Sequence, residues 1–171
     1  MTKLTTAFVP PCLSYEQIIA EQVTKGQSDQ PSAFKVRAQL LDQGRTDSVL
    51  AASLGLTVRL KVYASGGENA LHAHANEDHV FILLEGSADF FDSDGPLASL
   101  GKLEGIMIPK GSFYKFNATS REPLVMLRIG SPNESAMGLE GRVNTHGNSA
   151  HGDAPENKTV AVIPRPNAFF G

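Results

Sequence analysis

The sequence predicts an all-β domain, a sandwich or barrel of many short strands. Three observations carry this. Apolar and polar residues alternate with the period of two expected of half-buried strands, as in Leu56, Val58, Leu60 and Val62 against Thr57, Arg59, Lys61 and Tyr63. Turn residues recur at short intervals, among them Asp42-Gln43-Gly44-Arg45 and the tight hairpin signal Asp94-Gly95. Only one segment shows a helical stripe. With 171 residues, 41% of them hydrophobic, the chain can bury one sizeable core and leaves no room for two ordinary domains with linkers.

The elements follow in order. Ser14-Tyr15-Glu16-Gln17 has the form of a capping box, and Tyr15, Ile18, Ile19, Gln22 and Val23 give a short amphipathic stripe, so one helix ends before Gly26 and lies outside the barrel. Residues 27–32 are polar and contain Pro31, hence loop; Phe34, Val36, Ala38 and Leu40 then alternate as a strand would. Further strands are expected at about 46–52, 56–64, 69–75, 78–84, 87–92, 97–101, 105–109, 112–118 and 123–129. Beyond Ser131 the composition turns to proline, glycine and asparagine, which predicts a mostly irregular tail with one short strand at 159–163. The organisation is therefore an N-terminal extension (1–53), a barrel (54–130) and a C-terminal tail (131–171) in one structural domain.

Three of the five histidines fall between Leu71 and Glu85. On a strand, His72 and His74 point the same way with backbones about 6 to 7 Å apart, close enough to converge on one ion at metal–nitrogen distances of about 2.1 Å. Asn76, Glu77 and Asp78 supply turn chemistry, and the chain can return antiparallel with His79 beside the pair. A His-x-His pair alone is weak evidence for a metal; the neighbouring glycines and His79 strengthen it.

Gly66, five residues, His72-Ala73-His74, four residues, His79, six residues and Gly86 resemble the first motif of the cupin superfamily, with histidine where that pattern expects glutamate. Pro109-Lys110-Gly111-Ser112-Phe113-Tyr114 resembles the second motif, with tyrosine in the place of its histidine. The likeness spans about residues 54–130. It implies a double-stranded β-helix (jelly-roll) barrel carrying a short N-terminal helix and an irregular C-terminal tail. It implies His72, His74 and His79 as metal ligands, with Tyr114 in the fourth place. A second register stays open, in which Asp78 is the third ligand and restores two histidines and a carboxylate; the spacing to Gly86 favours His79.

Three neutral imidazoles would leave a divalent ion its full charge, which favours an anionic chelating substrate. Imidazole suits Fe, Ni, Cu and Zn, so the ligands alone do not name the metal; the resemblance, which includes dioxygenases with three-histidine iron sites, implies Fe(II) first, with Ni, Zn, Mn or Cu as other occupants. Tyr114 could ligate, donate a hydrogen bond to substrate or move a proton, and Glu77 is a second proton-moving candidate. Three function classes follow: an oxygenase acting on a small anionic, enolisable or aromatic substrate; a lyase or isomerase using the ion as a Lewis acid; and a barrel that only binds a small ligand.

Composition narrows the partners. A net charge of −3 with no basic stripe argues against nucleic acid, and no stretch approaches the roughly 20 apolar residues that cross a bilayer. Cys12 is the only cysteine, so neither an internal disulfide nor a thiolate cluster can form. The expectation is a soluble, cytoplasmic protein acting on a small molecule. Phe169 and Phe170 need cover, across a dimer interface or over the barrel mouth; the resemblance implies a homodimer, since single-domain cupins commonly pair. Arg59 and Arg128 are read as a solvated face, although they could flank the pocket and hold a carboxylate. His146 and His151 are read as solvated loop residues.

Overall fold

The structure, a computed structural model, describes residues 7–132, 141–150 and 160–171. His151 lies outside them. The helix α1 (Tyr15–Gly26) is capped as the sequence predicts: the Ser14 side chain accepts from Gln17 N, and Gln17 Oε1 reaches back to Leu13 N at 2.7 Å. It lies against the strand at Arg45–Ala52 and buries Ile18 and Gln22. No helix among the described residues is long and apolar enough to cross a membrane.

Twelve strands follow among the described residues: β1 (Ala38–Gln43), β2 (Arg45–Ala52), β3 (Thr57–Tyr63), β4 (His72–His74), β5 (Glu77–Glu85), β6 (Ala88–Phe91), β7 (Pro96–Leu100), β8 (Gly105–Ile108), β9 (Lys115–Ala118), β10 (Leu124–Pro132), β11 (Arg142–Asn144) and β12 (Ile163–Phe170). Every barrel strand expected from the sequence has its counterpart. A five-stranded antiparallel sheet, β2-β3-β10-β5-β8, packs across a core from the three-stranded β7-β6-β9 and the pair β11-β4. This is a double-stranded β-helix. Its interior is filled by Phe81, Leu83, Phe90, Phe116, Leu124 and Met126, which come from both sheets.

Two turns depend on glycine. Gly44 (φ 84°) turns β1 into β2 and Gly86 (φ 81°) ends β5; a side chain at Gly86 would meet Ser120 Oγ at 2.7 Å. At Asp94-Gly95, Asp92 Oδ1 accepts from both backbone nitrogens, at 2.8 and 3.0 Å.

The structure corrects three expectations. The tail is not mostly irregular: β12 pairs antiparallel with β1, and Arg165 ties it to Asp42 and Glu122 at 2.8 and 3.0 Å. Phe170 packs on a second core with Leu41, Leu60, Val62 and Val125, whereas Phe169 stays exposed with Arg37 over its ring at 4.5 Å. Arg59 and Arg128 are not on a solvated face; they are 4% and 2% exposed. The apolar side of β3 (Val58, Leu60, Val62) faces the second core, which the N-terminal extension and β12 cover. That inversion turns Arg59, Lys61 and Tyr63 into the barrel. The third correction is the turn before β5, which is shorter than read, because Glu77 already belongs to the strand.

Candidate functional site

β5 decides which residues meet. Its burial alternates strictly from Glu77 to Leu83, so Glu77, His79, Phe81 and Leu83 share the inner face. Asp78 faces the other way, where its Oδ1 accepts from Lys110 N at 2.8 Å and props the turn at 109–111. β4 brings in His72 and His74, with ring centroids 5.1 Å apart; His74 and His79 are 4.2 Å apart. Tyr114 is the direct backbone partner of His72 (N to O 3.1 and 2.9 Å), with its ring 4.6 Å from the imidazole. The five residues singled out in the sequence therefore converge in one buried cluster.

Donor atoms of His74, Glu77 and His79 all lie within 4.8 Å of one another. His72 stands beside that group and outside it. Its Nδ1 lies 2.7 Å from the Ala70 carbonyl, which fixes the proton there and turns Nε2 into the lone-pair nitrogen. Two to three imidazoles and one carboxylate, buried together, are a donor set that fits a divalent ion. The carboxylate expected from the resemblance at position 79 is supplied one strand period earlier, by Glu77. The signal was legible as the two-residue step from His79, but the turn reading of 76–78 hid it.

Sequence reasoning missed the role of Arg128. Its Nη1 and Nη2 hold Glu77 Oε1 and Oε2 at 3.2 and 2.7 Å, and Nη2 lies 2.6 Å from His79 Nε2. A guanidinium only donates, so His79 carries its proton on Nδ1 and donates it to the Tyr114 hydroxyl at 3.3 Å. Glu77 Oε2, 3.2 Å from the same His79 nitrogen, is thus bridged to it through Arg128. Thr57 Oγ1 adds a bond to Glu77 Oε1 at 3.2 Å. Gly130, opposite both Thr57 and His79 in register, leaves the space: a methyl there would overlap Glu77 Oε1.

The cluster borders a cavity of about 220 Å³. His72, His74, Tyr114 and Arg128 line it; Glu77 and His79 do not. Its other charged lining residues are Arg45, Arg59, Lys61, Arg142 and a single carboxylate, Asp47. Burial alone would raise the pKa of Asp47, but Arg59 and Lys61 outweigh it and hold the carboxyl well below the usual range. Arg59 Nε and Lys61 Nζ reach it at 2.9 and 2.6 Å. Burial pushes the Cys12 thiol up, so the one cysteine on this wall is not a thiolate nucleophile. Gly66 (φ 82°) lets the roof close, since a side chain there would meet Val160 Cγ2 at 2.9 Å. His146 sits outside the site, on an exposed turn.

No family model matches the chain, and no curated protein matches it. Solved structures do. The cupin domain of Schizosaccharomyces pombe Cnp3 aligns with a TM-score of 0.50 at 13% identity, over 56% of this chain and 69% of that one. KdgF from Halomonas sp. aligns at 0.49 and 14%, over 53% and 80%. A Klebsiella pneumoniae protein described as having a double-stranded β-helix domain aligns at 0.49 and 18%, over 73% and 86%. At these identities the likeness is one of fold.

Proposed function

We propose, for this barrel of cupin fold, a metal-dependent enzyme acting on a small anionic substrate. His72, His74 and Glu77 would hold a divalent ion, joined by His79 once the ion takes the place of Arg128 at its Nε2. The observation that carries the reading is the convergence of His74, Glu77 and His79 within 4.8 Å, beside a cavity whose lining has five cationic side chains and one carboxylate. A cavity of about 220 Å³ lies at the small end of ligand pockets, which suits a small acid.

The ion, Fe(II) by preference, would supply Lewis acidity and redox chemistry with dioxygen; imidazoles with one carboxylate are the donor set of non-haem iron oxygenases. The chain's own residues do the rest. Arg45, Lys61 and Arg128 line the cavity and draw in an anion, which burial then holds away from water. Arg128 fixes Glu77 and sets the tautomer of His79.

A lyase or isomerase is a second reading, favoured by one contact. His79 Nδ1 donates to the Tyr114 hydroxyl, and Tyr114, which lines the cavity, can pass its own proton to a bound anion. The two readings separate in one assay series. Protein isolated without chelators is analysed for metal and then offered small carboxylates and enolisable acids with and without oxygen. Iron with substrate-dependent oxygen uptake supports the oxygenase; anaerobic turnover that falls in Tyr114→Phe supports the lyase. Metal-loaded protein that converts none of them in either atmosphere overturns both.

A further inference from the structure

We infer that the substrate is a dianion, with one acidic group beside His74 and Arg128 and a second taken by Lys61 and Tyr63 on the far wall of the same cavity. The inference rests on the anionic-substrate reading above and goes beyond it by placing the second group.

The register of the five-stranded sheet sets the two ends. His79 lies opposite Gly130 and Gly130 opposite Thr57, so the cluster occupies one end of β3. The next inward row is Phe81, Arg128 and Arg59; then come Met126, Lys61 and Asp47; and the row after those holds Leu124, Tyr63 and Arg45. Positive groups therefore continue along the wall, away from the cluster.

Tyr63 supplies the independent observation. It is 2% exposed, lines the cavity, and its hydroxyl is buried with no hydrogen-bond partner among the described residues. A buried hydroxyl that forgoes its bond costs about 1 to 3 kcal/mol, so such groups are nearly always satisfied, here by what the cavity takes in. The ring is held edge-on by Phe116 at 5.0 Å, and Lys61 Nζ lies 5.7 Å from its centroid. The unpartnered hydroxyl and the ammonium thus line the same cavity wall, a pair suited to an oxyanion. Lys61 and Arg59 already share the Asp47 carboxylate, which holds both side chains in place.

Calorimetric titration of the protein with succinate, glutarate, 3-phosphonopropionate and butyrate at neutral pH tests this. The dianions should bind at least about tenfold more tightly than butyrate, the scale of one charge-assisted hydrogen bond. A lead of 3-phosphonopropionate over succinate would make the second group a phosphate-type anion; the reverse would make it a carboxylate. Tyr63→Phe, which keeps the packing, should lower dianion affinity several-fold at unchanged melting temperature, and Lys61→Met should abolish most of the preference. Tyr63→Phe should leave butyrate binding unchanged, and Lys61→Met should weaken butyrate far less than the dianions. Equal affinity for dianions and butyrate in the wild type, or variants that weaken all four acids alike or none, would overturn the inference. Running each titration with metal-free and metal-loaded protein separates the two claims. A dianion preference in protein that takes up no metal would sink the metal reading alone, and normal metal uptake without the preference would sink this one alone.

Discussion

Arg128 grips both oxygens of Glu77, Nη1 to Oε1 at 3.2 Å and Nη2 to Oε2 at 2.7 Å, with side chains 3% and 1% exposed. A buried pair of this kind contributes little net stability as a pair but is costly to break from one side. It also puts a positive charge against His79 Nε2, one of the nitrogens an ion would need. The cluster therefore holds charged groups of both signs and not neutral imidazoles alone. Glu77 brings a negative charge and Arg128 opposes it.

Replacing Arg128 by Gln should act in opposite directions on stability and metal. Metal-free protein should lose about 3 to 5 kcal/mol, the scale for stranding one buried charge. Affinity for a divalent ion should rise, since the nearby guanidinium is gone and Glu77 is released. Denaturant titration with and without added Zn2+ reads both effects. A variant as stable as wild type, or one with weaker metal binding, would contradict the account.

Gly130→Ala tests the space that Glu77 occupies. The added methyl overlaps Glu77 Oε1, so the carboxylate must leave Arg128 and Thr57. We expect a loss of about 1 to 3 kcal/mol, the usual scale of overpacking, together with weaker metal retention. Retention equal to wild type would mean that Glu77 is not a ligand.

Asp47 sets a pH limit. Its folded-state pKa lies below the unfolded value, so its contribution is fully present above about pH 3.9 and lost as the pH falls through the folded-state value. Below pH 4 the wild type should lose up to about 1.4 kcal/mol per pH unit more than Asp47→Asn does. Parallel acid limbs for the two proteins would show that the pairing with Arg59 and Lys61 is absent in solution.

Strand positions and the location of the histidine cluster were legible because they rest on local signals. Period-two alternation marked β3, the Asp94 and Gly95 turn joined β6 to β7, and the spacing of Gly66, His72, His74, His79 and Gly86 placed the cluster. What failed rests on long-range partners. β3 alternates cleanly, but nothing in it says which face is inside. An apolar outer face covered by β1 and β12 left the charged side of β3 in the barrel, against the usual expectation. The pairing of β12 with β1 joins residues more than a hundred positions apart, and proline at 164 and 166 disguised it. Glu77 was hidden because its neighbours Asn76 and Asp78 read equally well as turn residues.

The metal content of wild type, His79→Ala and Asp78→Ala, each isolated without chelators and reloaded under the same conditions, tests the central claim most directly. Asp78 props a backbone turn on the outer side of β5, whereas His79 lies in the cluster. The account predicts about one divalent ion per chain in wild type and in Asp78→Ala, and none retained in folded His79→Ala. Retention in His79→Ala with loss in Asp78→Ala would contradict it.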